Sequence, residues 1–256
     1  MYQKQLLAAL AAALISNMAY AEDAPAAAAP AAAHPHWSYD GAEGPDHWSE
    51  LESKYSTCST GKNQSPINLT DFIKAKLEPI KFDYKADGNQ FINNGHTVQV
   101  NFHEGSNMSL HGHQYGLKQF HVHSPSENQI NGKTFPMEAH FVHADANGNL
   151  AVIAVMFEEG KANPELEKAW KLMPQNADEK VDLKEEVLAS AILPKSRDYY
   201  RFNGSLTTPP CTEGVTWLVM KHPVTASKEQ IEHFQHVMHH HNNRPIQPIN
   251  ARMVLE

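Results

Sequence analysis

The 256-residue chain is short of cysteine, of positive charge and of long apolar runs. Its two cysteines, Cys58 and Cys211, lack the CxxC spacing of a redox motif or a zinc ribbon. Lys and Arg number 21 against 29 Asp and Glu, for a formal net charge of −8. That balance removes the basic footprint of a nucleic-acid binder and any reason to dock on an anionic membrane. The apolar run from Leu6 to Ile15 is too short to cross a bilayer. No HExxH, GxSxG, GxGxxG or P-loop occurs, so zinc-protease, serine-hydrolase, dinucleotide and phosphate-loop chemistries lose their usual signatures. Apolar residues at 41% and charged residues at 20% exclude global disorder, collagen and coiled coil. The residue in excess is histidine, at 17 positions, the commonest metal ligand and the side chain that titrates nearest neutral pH.

The two ends differ in composition. Lys4, the Leu6–Ile15 run and Ala19-Tyr20-Ala21 form an export-signal pattern over residues 1–21. Residues 22–36, rich in Ala and broken by Pro25, Pro30 and Pro35, read as a semi-extended linker. Residues 37–256 then form one domain, expected in the periplasm or secreted, with no membrane span once the signal is removed. An oxidising compartment favours a Cys58–Cys211 disulfide over two buried thiols. It would close a loop of 153 residues, for which chain entropy suggests about 4–5 kcal/mol.

Within 37–256 the periodicity is mostly that of strands. Val98, Val100 and Phe102 alternate with Gln99 and Asn101, while Leu150–Phe157 and Val215–Met220 are apolar runs of core-strand length. Asn93-Asn94-Gly95, Asn131-Gly132 and Asn147-Gly148 mark turns between them. One helix is predicted from Asn163-Pro164 to Pro174, with Leu166, Trp170 and Met173 on one face. A second follows the Ser227–Gln230 capping box, with Ile231, Phe234 and Met238 on a stripe. The fold class is β-dominated α+β.

Chemistry concentrates in two segments. In Gln119-Phe120-His121-Val122-His123, strand alternation places Gln119, His121 and His123 on one face. In Met137–Val142 it groups Glu138, His140 and Val142. If these strands pair, three imidazoles can meet at one ion and leave a fourth position open, as a catalytic zinc site requires. Gln119 and Glu138 each precede a histidine by two residues and can fix its other ring nitrogen. A second His-x-His pair, His111-Gly112-His113, competes by spacing but lacks the polar partners. His103 and His143 read as structural or surface residues. On spacing alone His96 reads rather as a surface residue after a turn, and Thr207 as a turn residue before Pro209.

Six ordered motifs resemble the α-class carbonic anhydrases of bacterial type: NQSPIN (63–68), NNGH (93–96), QFHVHSPSEN (119–128), MEAHFVH (137–143), GSLTTPPCTEGVTW (204–217) and NNRPIQPIN (242–250). The resemblance implies one domain on a large, twisted, mostly antiparallel sheet with short peripheral helices and a cone-shaped cleft. It implies one zinc ion on His121, His123 and His140, supported by Gln119, Glu138 and the carbonyl of about Asn242. Thr207 matches the gate over the zinc-bound oxygen, Glu127 the acceptor of the Thr207 proton, and His96 the proton shuttle. Val142, Val152, Leu206, Val215 and Trp217 match the apolar wall that receives CO2. Tyr39, Asn94, Gln99 and Thr208 match residues that order water or a bound anion. Cis peptides are implied at Ser65-Pro66 and Pro209-Pro210. Asn128 stands where a histidine is common in the family, and would serve hydrogen bonding around the ligand histidines. The implied activity is reversible hydration of CO2 to bicarbonate and a proton by attack of zinc-bound hydroxide, with a side esterase activity. The chain would act as a monomer or homodimer on a small-molecule substrate. A catalytically silent relative would have lost a ligand histidine, and none is missing. A zinc-storage role would rest on the His-rich run His233–His241, otherwise a solvated helix end.

Overall fold

The computed structural model describes residues 37–256. The export signal at 1–21 and the linker at 22–36 lie outside the described residues.

Strands dominate. In chain order they are β1 (Asn68–Leu69), β2 (Lys81–Asp83), β3 (Gly88–Asn93), β4 (Val98–Phe102), β5 (Asn107–Leu110), β6 (His113–His123) and β7 (Gln129–Ile130). They continue as β8 (Met137–Ala144), β9 (Leu150–Glu159), β10 (Lys180–Asp182), β11 (Tyr199–Ser205), β12 (Glu213–Met220) and β13 (Val224–Ala226). The helices are short: α1 (Trp48–Leu51), α2 (Thr57–Thr60), α3 (Pro164–Trp170), α4 (Ala189–Ile192) and α5 (Lys228–Met238). Eleven strands form one sheet, along the path β10-β3-β4-β6-β8-β9-β12-β11 with β2, β5 and β13 attached. Within this sheet pairing is antiparallel except where β12 and β13 run parallel to β9, and β1 and β7 form a separate parallel pair. This is the β-dominated architecture expected.

Alternation along the strands divides the core between the two sheet faces. Phe120, Val122, Phe141, Ile153 and Val155 join Leu166, Trp170, Ile231 and Phe234 in one buried cluster, so α3 and α5 cover that face. Val152, Ala154, Met156, Val215, Trp217 and Val219 form the cluster on the other face. A strand of period two sends successive side chains to opposite sides, and that separates these sets. β4 alternates buried and half-buried residues as its sequence predicts, while β9 is buried at seven consecutive positions, the mark of a central strand.

Helix α5 starts as predicted: Ser227 accepts from the Gln230 N–H, and Gln230 Oε1 accepts from the Ser227 N–H. The predicted α3 is too long. It ends at Trp170, four residues before Pro174, and the Leu172 and Met173 N–H groups instead bond three residues back, to Ala169 and Trp170. Proline disfavours helical geometry in the residue before it, so the chain leaves the helix early. Cis peptides occur at Ser65-Pro66 and Pro209-Pro210, and at a third place, Ser124-Pro125, that sequence reasoning missed.

Candidate metal centre and active site

Register decides the site. β6 and β8 run antiparallel with His121 opposite His140, His123 opposite Glu138 and Gln119 opposite Val142. The side chains of His121, His123 and His140 therefore leave the same face of two neighbouring strands. One nitrogen from each lies within 4.8 Å of the other two.

The remaining ring nitrogens are all held. His121 Nδ1 donates to Gln119 Oε1 at 2.9 Å, and His140 Nε2 donates to Glu138 Oε1 at 2.8 Å. His123 Nδ1 donates to the Asn242 carbonyl at 2.6 Å. Because each of these nitrogens carries its proton toward an oxygen, lone pairs remain at His121 Nε2, His123 Nε2 and His140 Nδ1. Burial holds all three imidazoles below the ordinary histidine pKa, and for His121 the positive charges that His123 and His140 would carry add to it. Neutral imidazole is the form that binds metal. His123 Nε2 is buried without a hydrogen-bond partner, an orphan that a cation would satisfy. The donor set, three neutral nitrogens with oriented second nitrogens, fits zinc in a catalytic three-ligand site.

The supporting shell is dense. Glu138 accepts from the Glu127 and Asn128 N–H groups at 2.7 and 2.8 Å, from Asn128 Nδ2 at 2.8 Å and from His140. Asn128 thus has the hydrogen-bonding role read for it, and its Oδ1 also accepts from the Ile67 N–H. Burial nevertheless lifts the Glu138 pKa to about 6. Glu127 is lifted further, to about 8, by burial, against the pull of the Arg244 N–H and the Thr207 hydroxyl. Thr207 is near enough to lower that value, yet Glu127 Oε2 has no partner at ordinary hydrogen-bond distance, so the geometry places the two as loose neighbours. Glu127 Oε2 is 3.5 Å from His123 Nε2 and 3.9 Å from His140 Nδ1.

A cavity of about 140 Å³ leads to the triad, and His121 and His123 line it together with Gln119, Tyr39, Asn94, His96, Gln99 and Thr208. Trp37 also lines it, stacked face to face on the His96 ring with centroids 3.7 Å apart. Burial, with the Glu127 charge second, raises the Tyr39 pKa, so its hydroxyl stays protonated. Val152, Val215 and Trp217 belong to the buried cluster on this face, with Val142 and Leu206 packed against it. The Trp217 indole meets His140 edge-on at 4.8 Å. Larger surface hollows, of about 310 and 380 Å³, lie elsewhere and contain none of the three imidazoles, so chemistry rather than volume singles out the smaller cavity.

Thr207 and Thr208 sit in the loop joining β11 to β12, which a Cys58–Cys211 disulfide ties to α2. Around the tie, Gln64 Nε2 donates to the Cys211 carbonyl, and the buried Arg244 guanidinium donates to Gln64 Oε1 and to the Ser65 and Cys58 carbonyls. The Arg244 N–H reaches Glu127 Oε1 at 2.8 Å. Sequence reasoning missed Arg244 and Trp37; the motif at 242–250 contains Arg244 but gives no sign of what it grips. Gly204, at the base of the loop, has no room for a Cβ, which would overlap Ser65 Oγ. His111 and His113 do not join the triad: His111 and Gly112 form a left-handed turn between β5 and β6, with His111 beside Arg201 and Glu78. His103 is exposed and His143 is buried on the opposite face.

A family model described as eukaryotic-type carbonic anhydrase matches residues 43–256. The chain belongs to the α-class carbonic anhydrase family. A carbonic anhydrase of Pectobacterium atrosepticum is 52% identical over 220 residues, covering 86% of this chain and 90% of that one. One from Neisseria gonorrhoeae is 52% identical over 224 residues, covering 87% and 88%. The solved α-carbonic anhydrase of Thermovibrio ammonificans, in complex with the inhibitor sulfanilamide, superposes with a TM-score of 0.85 at 50% identity, covering 87% of this chain and 99% of that one. Membership makes this an enzyme of a family whose reaction is the hydration of carbon dioxide, with a small-molecule substrate. Among the described residues no helix is long and apolar enough to cross a membrane.

Proposed function

We propose that the chain catalyses reversible hydration of CO2 to bicarbonate and a proton at a zinc ion held by His121, His123 and His140. The observation that carries this reading is the convergence of three neutral imidazole nitrogens within 4.8 Å, each with its second nitrogen anchored. When bound there, zinc supplies Lewis acidity and brings the pKa of water into the neutral range, behaviour for which carbonic anhydrase is itself the standard example.

The chain's own residues do the rest. Gln119, Glu138 and the Asn242 carbonyl fix the rings, so that no reorganisation is needed when an ion binds. Val142, Val152, Leu206, Val215 and Trp217 give uncharged CO2 a dry wall on which dispersion and water exclusion suffice for positioning. The Thr207 hydroxyl oxygen would accept a hydrogen bond from the attacking group while its own O–H donates one to Glu127, which aims the nucleophile and disfavours ligands with no hydrogen to donate. Glu127 accepts there only as a carboxylate; a cation at the triad counters the burial that raises its pKa. Tyr39, Asn94, Gln99 and Thr208 order water across the cavity. His96, at the same cavity, takes the proton released by each turnover and hands it to buffer. The same machinery can attack activated esters, a side reaction.

The disulfide and the bacterial relatives support an exported enzyme, periplasmic or secreted. Stopped-flow CO2 hydration with and without a zinc chelator tests the central reading. Activity that disappears on chelation and returns with one zinc per chain is expected; chelation without effect would overturn it.

A further inference from the structure

Outside the active site, the His-rich run contains a second pair of rings placed for chelation. α5 ends at Met238, and His239 caps it in the left-handed conformation at φ 60°, its N–H bonded to the Gln235 carbonyl. This reversal swings the His239 ring back toward His236. The two ring centroids stand 5.8 Å apart at an interplanar angle of 67°, and both residues are exposed. In the triad, rings that converge on one point have centroids 4.6, 5.0 and 5.3 Å apart. The outer pair is therefore half an ångström wider than the widest triad pair, within the reach of a side-chain rotation at the surface.

We propose that His236 and His239 chelate one borderline divalent first-row cation, such as Ni²⁺ or Cu²⁺, at a site separate from the triad. Two imidazoles suit such ions better than the hard cations Ca²⁺ or Mg²⁺, which take oxygen ligands. The last carbonyls of α5 place partial negative charge beside the rings, and the chain's net charge of −8 adds to it. An oxygen ligand is one turn away: Glu232 precedes His236 by four residues, on the same helix face, in an exposed ion pair with Lys228 at 3.5 Å. Such a surface pair is weak enough for a cation to replace it. His240 is turned otherwise, its Nδ1 donating to the His241 carbonyl and its ring 5.9 Å from Tyr39. The turn at the helix end, rather than the number of histidines, selects the ligands.

The test is calorimetric titration of the zinc-loaded enzyme with Ni²⁺, on the wild type and on His236→Ala and His239→Ala. The wild type is expected to bind one equivalent of Ni²⁺ beyond its zinc, and each variant to lose that equivalent while keeping its zinc content and CO2 hydration rate. Either of two results would overturn the proposal: no nickel uptake by the wild type, or wild-type uptake retained in both variants, which would place the ion elsewhere on the chain. Hydration activity is scored separately, so an active enzyme that binds no nickel defeats this proposal and leaves the catalytic one standing.

Discussion

The backbone N–H of Arg244 donates to Glu127 Oε1 at 2.8 Å, while the guanidinium of the same residue reaches the Cys58 carbonyl at 2.8 Å. One buried residue, through its backbone and its side chain, thus joins the disulfide tie to the carboxylate beside the metal centre. Arg244→Met keeps the backbone donor but removes three side-chain hydrogen bonds to buried oxygens. Leaving such acceptors unsatisfied costs about 1–3 kcal/mol each at most, and partial relaxation makes a total near 3 kcal/mol reasonable. Denaturant unfolding should show that loss, with CO2 hydration at low temperature largely retained. An unchanged unfolding midpoint would mean that water replaces the guanidinium.

Gln119 is half-buried and touches the centre only through His121. Gln119→Leu should weaken zinc binding by about 10–100-fold, the usual cost of losing an outer partner of a ligand histidine. Competition with a chelator measures it. Unaltered affinity would show that the β6–β8 register alone orients the ring.

His96→Ala should slow turnover mainly in dilute buffer, and added imidazole should restore the rate. The Trp37 stack gives a second handle: Trp37→Ala removes the ring that fixes His96 and should alter the buffer dependence without changing zinc content. If buffer identity makes no difference in either variant, proton transfer does not pass through His96.

Thr207→Val removes the hydroxyl beside Glu127 and replaces it with a methyl group of similar size. CO2 hydration should fall while zinc stays bound. A variant with wild-type turnover would leave the loop without its proposed gating role.

His143 supplies a pH test on the sheet face opposite the triad. Its Nδ1 donates to the Phe141 carbonyl at 2.9 Å, so Nε2 accepts from the Tyr84 hydroxyl at 2.6 Å and the ring is neutral. Burial lowers its pKa to about 4. Between there and the unfolded value of about 6.5, the unfolded chain binds a proton that the folded chain does not. Stability therefore falls as pH drops through that window and levels off below about 4, by roughly 3 kcal/mol in total. His143→Gln should flatten that part of the stability profile relative to wild type. Parallel profiles would show that His143 is not the group responsible.

The ligand triad was legible because strand alternation is a local rule. Spacing placed His121 with His123, and Glu138 with His140, before any long-range information was used. Their convergence also needed the register that sets His121 opposite His140, which no single segment contains. The anchor of His123 is a backbone carbonyl at Asn242, 119 residues away. Main-chain carbonyls leave no side-chain signature, so only the family resemblance pointed there. Sequence reasoning misses Arg244 for a related reason: a buried arginine is recognised by the oxygens it satisfies, and these, on Cys58, Gln64 and Ser65, lie 179 to 186 residues away in the chain. The sequence suggests a longer α3 than forms because its apolar face continues through the turn as far as Met173, whose burial does not require helical backbone.

The triad offers Nε2 from His121 and His123 but Nδ1 from His140, because Glu138 occupies the other nitrogen of that ring. An asparagine amide reaches about as far from the backbone as Nδ1, and a glutamine amide about as far as Nε2. Amide mimics of the three rings would therefore need unequal lengths, Gln at 121 and 123 but Asn at 140. A designer who swapped the three positions uniformly would mis-set the donor at one of them.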